Sequence, residues 1–157
     1  MEEKKEEKIR VLYIDDEVNN LIAFKANFRR LYDVHTAESA AEGKEVLKEK
    51  NIHVIITDQR MPHMTGTQFL ESILEEFPNP IKILLTGYAD MEAVIDAINK
   101  GQIFRYLRKP WDEQELKMAI TNAYEIYSLR EQNKVLIKSL ELANIQLEFL
   151  LRQNLLS

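Results

Sequence analysis

Polar side chains that suit phosphoryl chemistry stand at the ends of four apolar, strand-like runs. Asp15 and Asp16 follow the first run, and Asp58 ends a second. Thr86 and Lys109 come at the ends of two more. Because ligands of an open parallel α/β sheet bind at the carboxyl ends of its strands, we expect these side chains to gather at one edge. Three carboxylates, a hydroxyl and an ammonium in one cleft indicate a site for a divalent metal ion and phosphoryl transfer.

The composition is typical of a soluble globular domain, with 157 residues, 45% hydrophobic and 30% charged. The net charge of -5 argues against a nucleic-acid-binding surface. The chain has no cysteine, which excludes disulfides, thiol catalysis and cysteine-bound zinc. No run is long and apolar enough to span a membrane. Residues 1–8 are predicted to form a disordered charged arm without the apolar stretch of a signal peptide, so a cytoplasmic location is expected.

Short β-branched runs alternate with stretches of helical period along the chain. This alternation indicates βαβ units and predicts an α/β fold, with a five-stranded parallel sheet and helices wound on both faces. The third and fourth strands carry continuous apolar runs, as strands buried on both faces do. The predicted strands are residues 10–14, 33–37, 53–58, 81–86 and 104–108. The predicted helices are about residues 18–32, 39–50, 65–77 and 90–101, with a fifth from about 112.

The fifth helix is predicted to continue beyond the domain to about residue 154, because no glycine or proline interrupts it. Apolar residues then recur at alternating spacings of three and four, which is a heptad seam. Asn133 at an a position favours a parallel two-stranded register, so we expect a homodimer. A second apolar line leaves open a four-helix assembly or a different partner, and the helix could instead fold back on the domain. The predicted seam is Ile126, Leu129, Asn133, Leu136, Leu140, Ala143, Leu147 and Leu150.

With these residues placed, residues 9–127 resemble a bacterial response-regulator receiver domain, and residues 128–157 form the coiled-coil extension of its last helix. The resemblance implies a flavodoxin-like (βα)5 fold. The segments around Asp58 and Lys109 are similar to receivers that often precede HD-GYP phosphodiesterase domains. The motifs that carry the resemblance are Asp15-Asp16-Glu17, Asp58 with Met61-Pro62, Met64 and Gly66, Thr86-Gly87, Tyr106, and Lys109-Pro110.

The resemblance implies a role for each residue of the predicted cleft. Asp58 is expected to be the phosphoacceptor. Asp15 and Asp16 are expected to bind Mg²⁺ together with Asp58 and the backbone carbonyl of Arg60. Lys109 is expected to reach the phosphoryl oxygens, and the family holds the bond from this lysine to the following proline in the cis form.

Two residues are expected to respond to phosphorylation, and two others to tune the loss of the phosphoryl group. Thr86 would hydrogen-bond a phosphoryl oxygen, and Tyr106 would rotate inward as Thr86 moves. Arg60 and Tyr88 flank the path of the attacking water and would tune dephosphorylation, although both residue types are also ordinary in exposed loops. Trp111 is expected to pack at the foot of the fifth helix.

These residues are compatible with two classes of function. The first is a two-component signalling switch, which receives its phosphoryl group from a histidine kinase or phosphotransfer protein and is no enzyme toward outside substrates. The second is a Mg²⁺-dependent phosphatase or phosphotransferase of the haloacid-dehalogenase type, which also uses an aspartate nucleophile. That class expects a second aspartate two residues after the nucleophile, where this chain has Arg60.

Overall fold

A single sheet of five parallel strands forms the centre of the computed structural model, which describes residues 7–87 and 91–156. The strands are β1 (Arg10–Ile14), β2 (Asp33–Ala37), β3 (Val54–Asp58), β4 (Ile81–Thr86) and β5 (Arg105–Arg108). The helices are α1 (Val18–Phe28), α2 (Ala40–Glu49), α3 (Gly66–Ser72), α4 (Met91–Asn99) and α5 (Glu113–Leu156). The strand order β2-β1-β3-β4-β5 confirms the predicted doubly wound fold. Most of the predicted arm and the predicted start of α4 at Asp90 lie outside the described residues.

Two apolar layers enclose the sheet, because successive side chains of a strand point to opposite faces. On one face, residues such as Tyr13 and Ile56 pack against α1 and α5. On the other face, residues such as Leu12 and Ile55 pack against α2, α3 and α4. All five residues of β3 and all six of β4 are buried, as their continuous apolar runs predicted.

Side chains and backbone geometry cap three of the helices. Thr65 accepts a hydrogen bond from the backbone N–H of Gln68, whose own side chain accepts from the N–H of Thr65. Ser39 likewise accepts from the N–H of Glu42 at the start of α2. Gly101 follows α4 with a φ of 72°, a conformation that favours glycine.

Two helices end earlier than predicted. The prediction extended the first helix to residue 32, but α1 ends at Phe28, and the next residues turn so that β2 can begin beside β1. The third helix was predicted to reach residue 77, but α3 ends at Ser72 and the chain continues as turns. Pro78 disfavours helical geometry only for the residue directly before it. The proline therefore does not explain why α3 already ends at Ser72.

The last helix is continuous over 44 residues, about 66 Å at the rise of an α-helix. Leu116, Ala119, Ile120 and Ala123 bury its first part against the sheet. Ile126 still packs partly on the core of the domain, whereas the apolar residues from Leu129 onward are mostly exposed. Within the described ranges, no helix combines the length and the apolar character that crossing a bilayer requires.

Candidate functional site

The carboxyl ends of four strands bring the predicted site residues to one edge of the sheet. Asp15 directly follows β1, and Asp58 is the last residue of β3, the neighbouring strand. Thr86 ends β4 and pairs in register with Arg108 of β5, after which Lys109 follows. The order of the strands therefore explains why residues far apart in sequence meet.

Three carboxylates and one ammonium group lie together at this edge, and the ammonium contacts two of the carboxylates. One oxygen each from Asp15, Asp16 and Asp58 lies within 4.8 Å of the others. The Nζ of Lys109 lies 3.1 Å from Oδ2 of Asp15 and 3.0 Å from Oδ1 of Asp58. Asp15 and Asp58 are buried, while Asp16 is exposed. The bond between Lys109 and Pro110 is cis, as the resemblance implied.

Asp15 is held by two side chains that sequence reasoning missed. The hydroxyl of Tyr13 donates to Oδ2 of Asp15 at 2.6 Å, and the amide of Asn20 donates to the same oxygen at 3.0 Å. The backbone N–H of Glu17 donates to Oδ1 at 3.0 Å. Tyr13 lies two residues before Asp15, on the same face of the strand, and that alternation was the available signal.

Trp111 packs on the apolar core just before α5 begins, as predicted. It meets Tyr13 edge to face at 5.9 Å between ring centres, and Phe24 at 6.1 Å. Such edge-to-face pairs add favourable energy beyond the area they bury. Trp111 therefore helps to fix the tyrosine that binds Asp15.

Burial and pairing shift the ionisation of the cluster in opposite directions. Burial raises the pKa of Asp15, but hydrogen bonds from Tyr13, the Glu17 backbone and Lys109 lower it more, so the net pKa is below the usual value. Burial also raises the pKa of Asp58, and its neighbouring carboxylates raise it further against the attraction of Lys109. Burial lowers the pKa of Lys109, but its two carboxylate partners raise it overall.

The cluster fits a divalent cation by charge and by ligand type. With all groups ionised, three carboxylates and one ammonium leave a net charge of -2. Each acidic group offers oxygen, the ligand that hard cations such as Mg²⁺ prefer. The three carboxylates of the predicted magnesium site are therefore present together and suit this ion.

The loop after Asp58 approaches its backbone closely. The N–H of Gly66 donates to the carbonyl of Gln59 at 3.0 Å. A Cβ atom on Gly66 would lie 2.4 Å from the carbonyl oxygen of Asp58 and 2.8 Å from Cδ1 of Leu84. Only a glycine fits here without displacing the backbone of Asp58, which gives Gly66 a physical role at the site.

The two predicted switch residues lie on neighbouring strands. Thr86 is fully buried, and its hydroxyl donates to the carbonyl of Gly87 at 3.0 Å. Tyr106 is partly buried beside Leu84 and packs on the face of the sheet that carries α2, α3 and α4. Arg60 is exposed two residues after Asp58. Tyr88 lies outside the described residues.

Fold and site together define a doubly wound α/β domain with an acidic cluster and a lysine at the carboxyl ends of its strands. The family model of the response regulator receiver domain matches residues 11–121. The chain belongs to this family.

One similar protein is a transcriptional regulator. The hydrogenase transcriptional regulatory protein HoxA of Bradyrhizobium diazoefficiens is 31% identical over 124 residues, which are 79% of this chain and 26% of that protein. The chain thus spans about a quarter of the length of this relative.

Solved structures match over most of this chain. One solved as an adenylate cyclase from Rhodopirellula baltica has a TM-score of 0.81 at 33% identity, and the match covers 83% of this chain and 98% of that one. The signal receiver domain of an HD domain-containing protein from Pseudomonas fluorescens Pf-5 has a TM-score of 0.73 at 32% identity, covering 77% and 98%.

Proposed function

We propose that this chain is a phosphorylation-dependent switch of a two-component system, in which Asp58 accepts a phosphoryl group from a histidine kinase or a phosphotransfer protein. The observation that carries the proposal is the position of Lys109, whose ammonium contacts both Asp58 and Asp15 where the strands end. Membership of the receiver family supports it. Residues 9–127 are assigned as the receiver and residues 128–157 as the tail, in the cytoplasm.

The proposed transfer forms one bond and breaks another. A carboxylate oxygen of Asp58 attacks the phosphorus atom, the bond from phosphorus to the donor's imidazole nitrogen breaks, and that nitrogen keeps the electron pair. The product is an acyl phosphate on Asp58, and Lys109 offers its ammonium to the phosphoryl oxygens. Mg²⁺ bound by Asp15, Asp16, Asp58 and the carbonyl of Arg60 would supply the charge that offsets repulsion between the carboxylates and the incoming group.

The phosphoryl group is proposed to be sensed by Thr86. Its hydroxyl now donates to the neighbouring carbonyl of Gly87, and a hydroxyl can rotate to a stronger, charged acceptor. Tyr106, on the edge strand, would then turn inward. Arg60 and Tyr88 would slow hydrolysis by covering the path of water.

The tail is proposed to pair two copies of the chain in parallel. Leu129, Leu136 and Leu140 are each more than half exposed, although apolar side chains favour burial. Pairing would cover this seam, and Asn133 would fix its register. We assign the tail as the element that reports the state of the receiver, because α5 runs without a break from the core into this exposed seam.

A phosphatase acting on outside substrates is the competing function, and stoichiometry separates the two. The protein is incubated with excess phosphoramidate and Mg²⁺, while protein-bound phosphoryl groups and released phosphate are measured together. A switch should hold up to one phosphoryl group per chain and release phosphate slowly. Rapid release of many equivalents of phosphate, without a phosphorylated protein, would contradict the proposal.

A further inference from the structure

A cavity of about 310 Å³ lies at the opposite end of β4 from the acidic cluster. It is formed by the amino-terminal end of β4, the segment between α4 and β5, and the part of α5 where the tail leaves the receiver. Ile98, Ile103 and Ile126 give it apolar walls. We call it the tail-root cavity.

Two cations line the tail-root cavity, and among the residues that the structure describes there no carboxylate does. Lys82, on β4, is only 7% exposed, which is rare for a lysine without an acidic partner. Arg130, on α5, is exposed at the mouth. Burial and the nearby Arg130 lower the pKa of Lys82 to about 8.

The ammonium of Lys82 has unused hydrogen-bonding capacity. It donates to the carbonyl oxygen of Pro80 at 3.0 Å, and this is its one bond to the described residues. An ammonium has three N–H donors, so two are left for another acceptor. A buried cation is costly unless it is paired, and an anion in the cavity would supply the pairing.

We propose that the tail-root cavity binds a small organic carboxylate, whose charged group lies between Lys82 and Arg130 and whose apolar body packs against the three isoleucines. The volume is at the lower end of the range for small-molecule sites, so it suits a compact ligand. Such a ligand would join the sheet, through Lys82, to the first turns of the tail, through Arg130. The proposal does not depend on phosphorylation of Asp58.

The test is a titration of the full chain with benzoate, benzamide and inorganic phosphate, followed by amide chemical shifts. We expect benzoate to give saturable shifts around Gln102 and Ile103, which border the cavity. Benzamide lacks the charge and phosphate lacks the apolar body, so both should bind at least tenfold more weakly. Equal binding of benzamide, equal binding of phosphate or no saturable shift with benzoate would overturn the proposal.

Variants assign the binding to the two cations. Lys82→Met keeps the length of the side chain and should weaken benzoate binding at least tenfold. Arg130→Gln should also weaken benzoate binding. Because Arg130 is exposed, this variant should fold normally, and the test stays valid even if Lys82→Met folds poorly. Lys138→Gln removes an exposed positive charge two turns along α5, outside the cavity, and should change nothing. Undiminished binding to both Lys82→Met and Arg130→Gln would refute the assigned site.

Discussion

At the scale of single residues, the hydrogen-bond partners of Asp15 fix the position and charge of its carboxylate. Its carboxylate is completely buried and accepts hydrogen bonds from four donors, including Tyr13, Asn20 and Lys109. Burial of a charge without such partners would cost several kcal/mol, so these donors keep Asp15 ionised and fixed in place. Among the described residues, Asp58 has fewer partners, which suits its proposed role as the nucleophile.

Replacing Tyr13 with phenylalanine should destabilise the metal-free protein at neutral pH by about 1.5–3 kcal/mol, the usual contribution of a hydrogen bond to a charged group. The pKa of Asp15 is lowered in the folded state, so its stabilising contribution is present above the unfolded pKa and is lost as pH falls through the folded pKa. The difference between wild type and Tyr13→Phe in urea unfolding should therefore shrink in acid.

Tyr32→Phe is the matched control for this measurement. Tyr32 is also a buried tyrosine, but its hydroxyl pairs with Thr121 and not with a carboxylate. Its effect on stability should not depend on the ionisation of Asp15. If Tyr13→Phe and Tyr32→Phe lose stability in parallel at every pH, the account of Asp15 is wrong.

Gly66→Ala should disturb both stability and phosphorylation. The added methyl group would lie 2.4 Å from the backbone oxygen of Asp58, and overpacking of this kind typically costs about 1–3 kcal/mol. Gly87→Ala is the control, because a Cβ there meets no atom within 4 Å. Thermal unfolding should separate the two variants, and equal melting temperatures would contradict the packing argument.

At the scale of elements, strands were easier to predict than helix ends. A parallel strand buried on both faces needs a continuous apolar run, and β3 and β4 have one. The ends of α1 and α3 depend on turns that tertiary packing selects, and helical period alone does not show them. The position of Lys82 in the wall of a cavity could not be predicted either, because a single lysine in an apolar run does not indicate a cavity.

The tail of α5 should make the chain a dimer. Sedimentation of the full chain is compared with a version that ends at Ser128, which should be a monomer. Lys138→Gln, a change outside the predicted seam, should leave the dimer intact, whereas Asn133→Leu should strengthen association and loosen its register. A full chain that sediments as a monomer at micromolar concentration would refute the proposed pairing.

At the scale of the whole molecule, a short stretch of chain links the site to the helix that forms the tail. The edge strand β5 carries Tyr106 and leads directly into Lys109, and α5 begins a few residues later. Movement of Thr86 and Tyr106 would therefore occur next to the root of the long helix. This proximity is the reason to propose that phosphorylation changes the arrangement of the tail. Demonstrating that coupling requires a measured difference in the tail between the unphosphorylated and phosphorylated states.

The gathering of the acidic cluster was predictable because parallel strands present their carboxyl ends at one edge. The partners of Asp15 were not, because spacing cannot show that the hydroxyl of Tyr13 and the amide of Asn20 converge on one oxygen. Likewise, the sequence placed Gly66 in a motif, but only the folded loop shows its contact with the backbone of Asp58.

The most direct test of the central claim is the intact mass of the protein after incubation with a small-molecule phosphodonor and Mg²⁺. Wild type should gain one phosphoryl group, and peptide mapping should place it on Asp58. Asp58→Asn preserves the shape of the side chain but removes the nucleophile, so it should gain none. A phosphoryl group on Asp58→Asn, or an unmodified wild type under the same conditions, would contradict the account.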